Sequence, residues 1–119
     1  MRTAHIVIRA SGESLAELRG GFLATWKSGK YEGEHFEFES PASLFKTLSP
    51  KRWGLVEALQ KHGPVGVREL ARKLGRDVKR VHEDVQRLIE VGLVEKNSEG
   101  KILVPFGEIR AGFVLRAAV

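Results

Sequence analysis

An α+β fold is predicted for this chain of 119 residues from three observations. Alternating or β-branched runs lie near both ends, where they read as strands. Between them, apolar residues recur at three- and four-residue spacing behind Ser-Pro and Asp caps, which marks amphipathic helices. Residues 67–104 then set out helix, tight turn, helix and hairpin, in that order.

Taken from the N-terminus, residues 3–10 (TAHIVIRA) predict a strand with Ile6 and Ile8 on one side. His5, Val7 and Arg9 take the other. Leu15, Leu18, Phe22 and Trp26 mark an amphipathic helix over residues 15–27, capped by Ser11 or Ser14. Glu17 stands at capping-box spacing from Ser14. Gly20 and Gly21 interrupt this helix, and two adjacent glycines cost about 2 kcal/mol of helix propensity against alanine. A kink and a close contact are the alternatives there. Residues 34–39 (EHFEFE) alternate strictly, so Phe36 and Phe38 share the buried face of a strand.

Ser40-Pro41 then opens a short helix with Ala42, Leu44, Phe45 and Leu48. Ser49-Pro50 repeats the signal for a helix running to His62, its sides marked by Trp53, Val56, Leu59 and Gln60. Gly63-Pro64 stops it. Trp26 and Trp53, on apolar stripes, are expected in the core.

The next helix is short, with Val67, Leu70, Ala71 and Leu74 on one stripe. Gly75 is placed to end it in the left-handed conformation. Asp77 is placed to cap the helix after it, which carries Val78, Val81, Val85, Leu88 and Ile89 on its core side. Lys79, Arg80, Glu83, Asp84, Arg87 and Glu90 are expected on the opposite side, and Gly92 is the stop. Residues 93–96 and 101–104 are β-type runs around Asn97-Ser98-Glu99-Gly100, a loop suited to a hairpin. This is the order of a winged helix-turn-helix. After Pro105, residues 108–116 alternate as one more strand, which pairs with residues 3–10 or 34–39 in the same subunit or a second one.

The segment VRELARKLGRDVKRVHEDVQRLIEVGLVEK resembles the helix-turn-helix of MarR-like and ArsR-like transcriptional regulators. It is more similar still to a group of small predicted winged-helix regulators of archaea and bacteria. The specific pattern is REL-A, LGRD, DV and GLVE, and the resemblance spans residues 48–105. It implies sequence-specific binding of double-stranded DNA, with the helix from Val78 in the major groove. Regulators of this kind act as homodimers, and some relatives look like antitoxins that bind a protein toxin and repress their own operon. The expected organisation is an N-terminal strand-helix-strand module for the dimer or partner (residues 1–40), the DNA-binding domain (41–105) and a C-terminal strand (106–119).

Charge supports this division. Residues 1–48 hold six Lys/Arg and six Asp/Glu, whereas residues 49–119 hold fourteen against nine and supply the whole net charge of +5. Arg68, Arg72, Lys73, Arg76, Lys79 and Arg80 face only Glu69 and Asp77 within residues 68–80. A basic cluster inside a helix-turn-helix pattern is placed for phosphates.

Within the resemblance, Lys79 and Arg80 carry the donors for guanine O6 and N7, and Glu83 is an acceptor for cytosine N4. The alternative for Glu83 is a surface ion pair with Arg87. Arg68, Arg72, Lys73, Arg76 and Arg87 are candidate phosphate contacts. Lys96, Asn97, Ser98 and Lys101 are candidates at the wing tip, for backbone or minor groove. His82 is expected packed and hydrogen-bonded on the flank of the stripe.

Other classes find less in the chain. There is no cysteine, which removes disulfides and thiolate chemistry, and a cytoplasmic protein without export signal or membrane span is expected. His5, His35 and His62 lack ligand spacing, so neither metal nor cofactor is expected. No glycine-rich phosphate loop or paired-acid spacing points to an enzyme. Glu34, Glu37 and Glu39 read as strand-face acids.

Overall fold

In a computed structural model the chain is an α+β protein described over residues 2–9 and 33–117. The predicted helix over residues 15–27 and its capping serines lie outside the described residues. The elements are β1 (Arg2–Ile8), β2 (Glu34–Phe38), α1 (Pro41–Thr47), α2 (Pro50–His62), α3 (Val67–Leu74) and α4 (Val78–Val91). After them come β3 (Glu95–Lys96), β4 (Ile102–Leu103) and β5 (Phe106–Ala111). They divide into two units, Met1–Lys46 with Glu108–Val119, and Thr47–Gly107. The C-terminal segment therefore groups with the N-terminal one.

The first unit holds a sheet in the order β2-β1-β5. β1 and β2 run parallel, with Ile6 beside Phe36 and Ile8 beside Phe38. Alternation puts Ala4, Ile6 and Ile8 on a buried face, while Phe36 and Phe38 are half-buried beside them. On the opposite face the same register brings His5 and His35 into a stack, ring centroids 5.0 Å apart. Of the two partners left open for the C-terminal strand, β5 takes β1. It ends at Ala111, short of the expected residue 116, and Phe113, Val114 and Leu115 beyond it are exposed. Phe45 of α1 is 53 % exposed and meets the Phe113 ring edge-on at 6.1 Å.

The second unit is built from local stop and start signals. Ser49 caps α2 by accepting from the Arg52 N–H at 3.4 Å, and Asp77 caps α4 by accepting from the Arg80 N–H at 3.2 Å. α3 ends at Gly75, whose φ of 63° is the left-handed conformation. There the Arg76 N–H donates to Ala71 C=O and the Gly75 N–H to Arg72 C=O, the paired bonds of a Schellman motif. The core comprises Leu55, Val56 and Leu59 of α2, Leu70 and Ala71 of α3, and Val81, Val85 and Leu88 of α4. Leu48, Val65, Leu93, Val94, Ile102 and Phe106 complete it.

Three expectations change here. Leu55, not Trp53, lies in the core of α2, and Trp53 is only half-buried. Val78 is 42 % exposed, so the buried stripe of α4 begins one turn later, at Val81. The hairpin pairs over two residues a side, Glu95 with Leu103 and Lys96 with Ile102. It gains a third partner from Val65, whose N–H and C=O exchange bonds with Ile102 at 3.1 and 2.9 Å.

Leu88 is fully buried on α4. Leu88→Ala removes its contacts without a replacement and is expected to destabilise the protein by about 2–5 kcal/mol. Chemical denaturation would measure this, and a loss under about 1 kcal/mol would mean the site collapses around the smaller side chain.

Candidate nucleic-acid interface

Burying Val81, Val85 and Leu88 fixes which side of α4 faces out. Lys79, Arg80 and Glu83 are accordingly exposed over its first two turns. Among the described residues none of the three enters an ion pair, so the expected alternative of Glu83 bonded to Arg87 does not form. Arg87 instead pairs with Glu90 at 3.0 Å. His82, expected to be packed, is exposed.

On α3, Arg68 and Arg72 are exposed and likewise without an ion pair among the described residues. Lys73 lies 3.8 Å from Glu69 one turn back. Four positive side chains, Arg68, Arg72, Lys79 and Arg80, thus remain uncompensated on these two consecutive helices. Three more candidates sit at the hairpin. Lys96 and Ser98 are exposed, and Lys101 stands 3.8 Å from Glu99. Asn97 is committed to the turn itself: its Oδ1 accepts from the N–H groups of Glu99 and Lys101 at 3.0 and 2.9 Å. Its side chain shapes the tip and presents Ser98 and Lys101.

Arg76, expected at phosphates, is held elsewhere. Its Nη2 donates to Asp84 Oδ2 at 2.7 Å. Arg52 Nε donates to the other oxygen, Oδ1, at 3.0 Å, and Arg52 Nη1 donates to Thr47 C=O at 2.8 Å. The Asp84 side chain is 16 % exposed, with Arg52 at 23 % and Arg76 at 21 %. Asp84, read from its spacing as an outward residue, is therefore the point where the first turn of α2 and the α3–α4 turn are tied to α4. Sequence spacing carries no signal of this, because Arg52 lies 32 residues away in the chain.

The clamp sets the charge of Asp84. Burial by itself pushes the carboxyl up, but hydrogen bonds from Arg76 and Arg52, with their positive charges, outweigh it and hold the carboxyl below the usual range. Such a group stabilises the fold above the unfolded carboxyl's pKa, near pH ~4, and that stability is lost as pH falls through the lower folded value. Asp84→Asn is expected to cost about 1–3 kcal/mol at neutral pH, the scale of hydrogen bonds to charged groups. The gap between wild type and variant should shrink as the pH is taken below about 4. A gap independent of pH in urea unfolding would remove the charge from this account.

Elsewhere, His5 and His35 come together although their spacing suggests no site, but among the described residues no three potential metal ligands gather. No helix among the described residues is long and apolar enough to cross a membrane. Comparison with curated proteins finds no match. A family profile matches residues 47–111, more than half of the chain and all of the helical unit with its clamp, turn and hairpin. By that match the chain belongs to the HVO_A0114 family.

Proposed function

We propose that this protein is a sequence-specific transcriptional regulator of winged helix-turn-helix type that binds double-stranded DNA as a dimer and acts as a repressor. The observation that carries the reading is the outward end of α4, where Lys79, Arg80 and Glu83 stand exposed and, among the described residues, without an ion pair, as do Arg68 and Arg72 of α3. A major groove about 12 Å wide accepts one α-helix, and α4 enters it by its N-terminal turns. Arg80 and Lys79 then donate to guanine, and Glu83 accepts from cytosine. The exposed Val78 offers an apolar contact for a thymine methyl. Arg68 and Arg72 hold phosphates, and Lys96, Ser98 and Lys101 at the hairpin tip hold the backbone or minor groove.

Two half-sites about one helical turn apart call for two copies. The exposed Phe45, Phe113, Val114 and Leu115 of the first unit favour a protein-binding surface there. The same observation supports a second reading, an antitoxin whose first unit holds a protein toxin while its second represses the operon. A homodimer in sedimentation favours the first reading. Co-purification with the product of a neighbouring gene favours the second.

The roles separate by mutation. Titrated against DNA upstream of its own gene and against scrambled duplex, the protein is expected to prefer the former by about a thousandfold or more. Arg80→Ala should erode that preference by about 1–3 kcal/mol. Arg72→Ala should weaken both duplexes alike and lower the salt slope by about one. Equal losses on both duplexes for both variants would sink the assignment of roles.

A further inference from the structure

The two arginines on Asp84 also act on its neighbour along the helix. Asp84 stands four residues after Arg80 on α4, the spacing at which helical side chains meet. A carboxylate with an open oxygen at that place would take the Arg80 guanidinium as an ordinary surface pair. Arg80 would then reach a base only after breaking it. No such pair exists: Oδ1 accepts from Arg52 and Oδ2 from Arg76, and the carboxylate between them is only 16 % exposed, whereas Arg80 is on the surface. Arg87, three residues after Asp84, is engaged by Glu90.

We propose that Arg52 and Arg76 are positioning residues for Arg80: by holding the Asp84 carboxylate through one bond to each oxygen and offsetting its charge, they keep the reading guanidinium available to a base edge. The inference rests on the DNA-reading role given to Arg80 above. Both arginines are anchored independently of DNA. Arg52 is fixed by its bond to Thr47 C=O, and Arg76 by its place in the Schellman turn, where its N–H donates to Ala71 C=O at 3.0 Å. Electrostatics act in the same direction as geometry. Two guanidinium groups around one carboxylate leave a net positive clamp, so the attraction of Asp84 for Arg80 is already offset.

The clamp is tested with a mutational cycle. Arg76→Gln opens Oδ2 to Arg80, and the preference for own-upstream over scrambled duplex is expected to fall about tenfold, the size of one lost base contact. In an Asp84→Asn background no carboxylate is left to capture Arg80, and the same Arg76→Gln change is expected to cost less than about twofold. Arg52→Gln opens Oδ1 and should repeat the pattern, which keeps the test decisive if Arg76→Gln fails to fold by circular dichroism. Without DNA, the Arg80 Nε–H signal in NMR should shift in Arg76→Gln and return in the double variant. Equal losses in both backgrounds would overturn the proposal, as would an Arg80 signal that does not move. Wild-type protein with no preference would overturn the DNA-reading role and the proposal with it, and the Arg80 signal then separates that failure from a failure of the clamp.

Discussion

The second unit depends on how α4 is held. A helix lying on a core has three freedoms that matter: rotation about its axis, sliding along it, and tilt. Burial of Val81, Val85 and Leu88 removes the first, since turning by one residue, about 100°, would drive charged side chains into the core. Sliding is limited by the short connections at its ends: only Gly75, Arg76 and Asp77 separate it from α3, and Gly92, at φ 103°, turns the chain directly into the buried Leu93 and Val94. Tilt is limited by Asp84, which ties the middle of α4 to Arg52 of α2 and to Arg76 in the turn before it. The outward presentation of Lys79, Arg80 and Glu83 is the consequence of these three constraints together.

What could be read from the sequence was what is decided locally. α2 begins and ends where Ser49-Pro50 and Gly63-Pro64 say it should, because a cap and a breaker act on backbone groups within a few residues. The same holds for Gly75, Asp77 and Gly92. Periodicity also found the buried stripe of α4, though it carried the stripe one turn too far, to Val78. The clamp and the Val65–Ile102 bridge were not legible. The bridge and the Arg52 arm of the clamp join residues far apart in the chain, and a single paired residue such as Val65, between Pro64 and Gly66, has no period to detect.

In the first unit, alternation found all three strands but not their company. An alternating run states which face a strand would bury, not which neighbour will satisfy its backbone. That neighbour decides where the strand ends. β5 keeps its pattern in sequence to Arg116 yet stops at Ala111, and the apolar residues past that point stay exposed. Parallel pairing of β1 with β2 has a similar status, since neither run alone states the direction of its neighbour.

Charge shows most clearly how structure sorts what composition lumps together. Residues 68–80 carry six positive side chains that the sequence presents as one basic patch. Arg76 is spent on Asp84 and Lys73 sits by Glu69, which leaves Arg68, Arg72, Lys79 and Arg80. The distinction is physical. A guanidinium held by a half-buried carboxylate gains little from a phosphate, because it would have to give up a charge-assisted hydrogen bond to reach it. An exposed guanidinium with no partner gives up only water and counterions, and their release favours binding. Of two arginines four residues apart, Arg76 therefore belongs to the architecture of the unit and Arg80 to its surface chemistry, although nothing in residue type or spacing tells them apart.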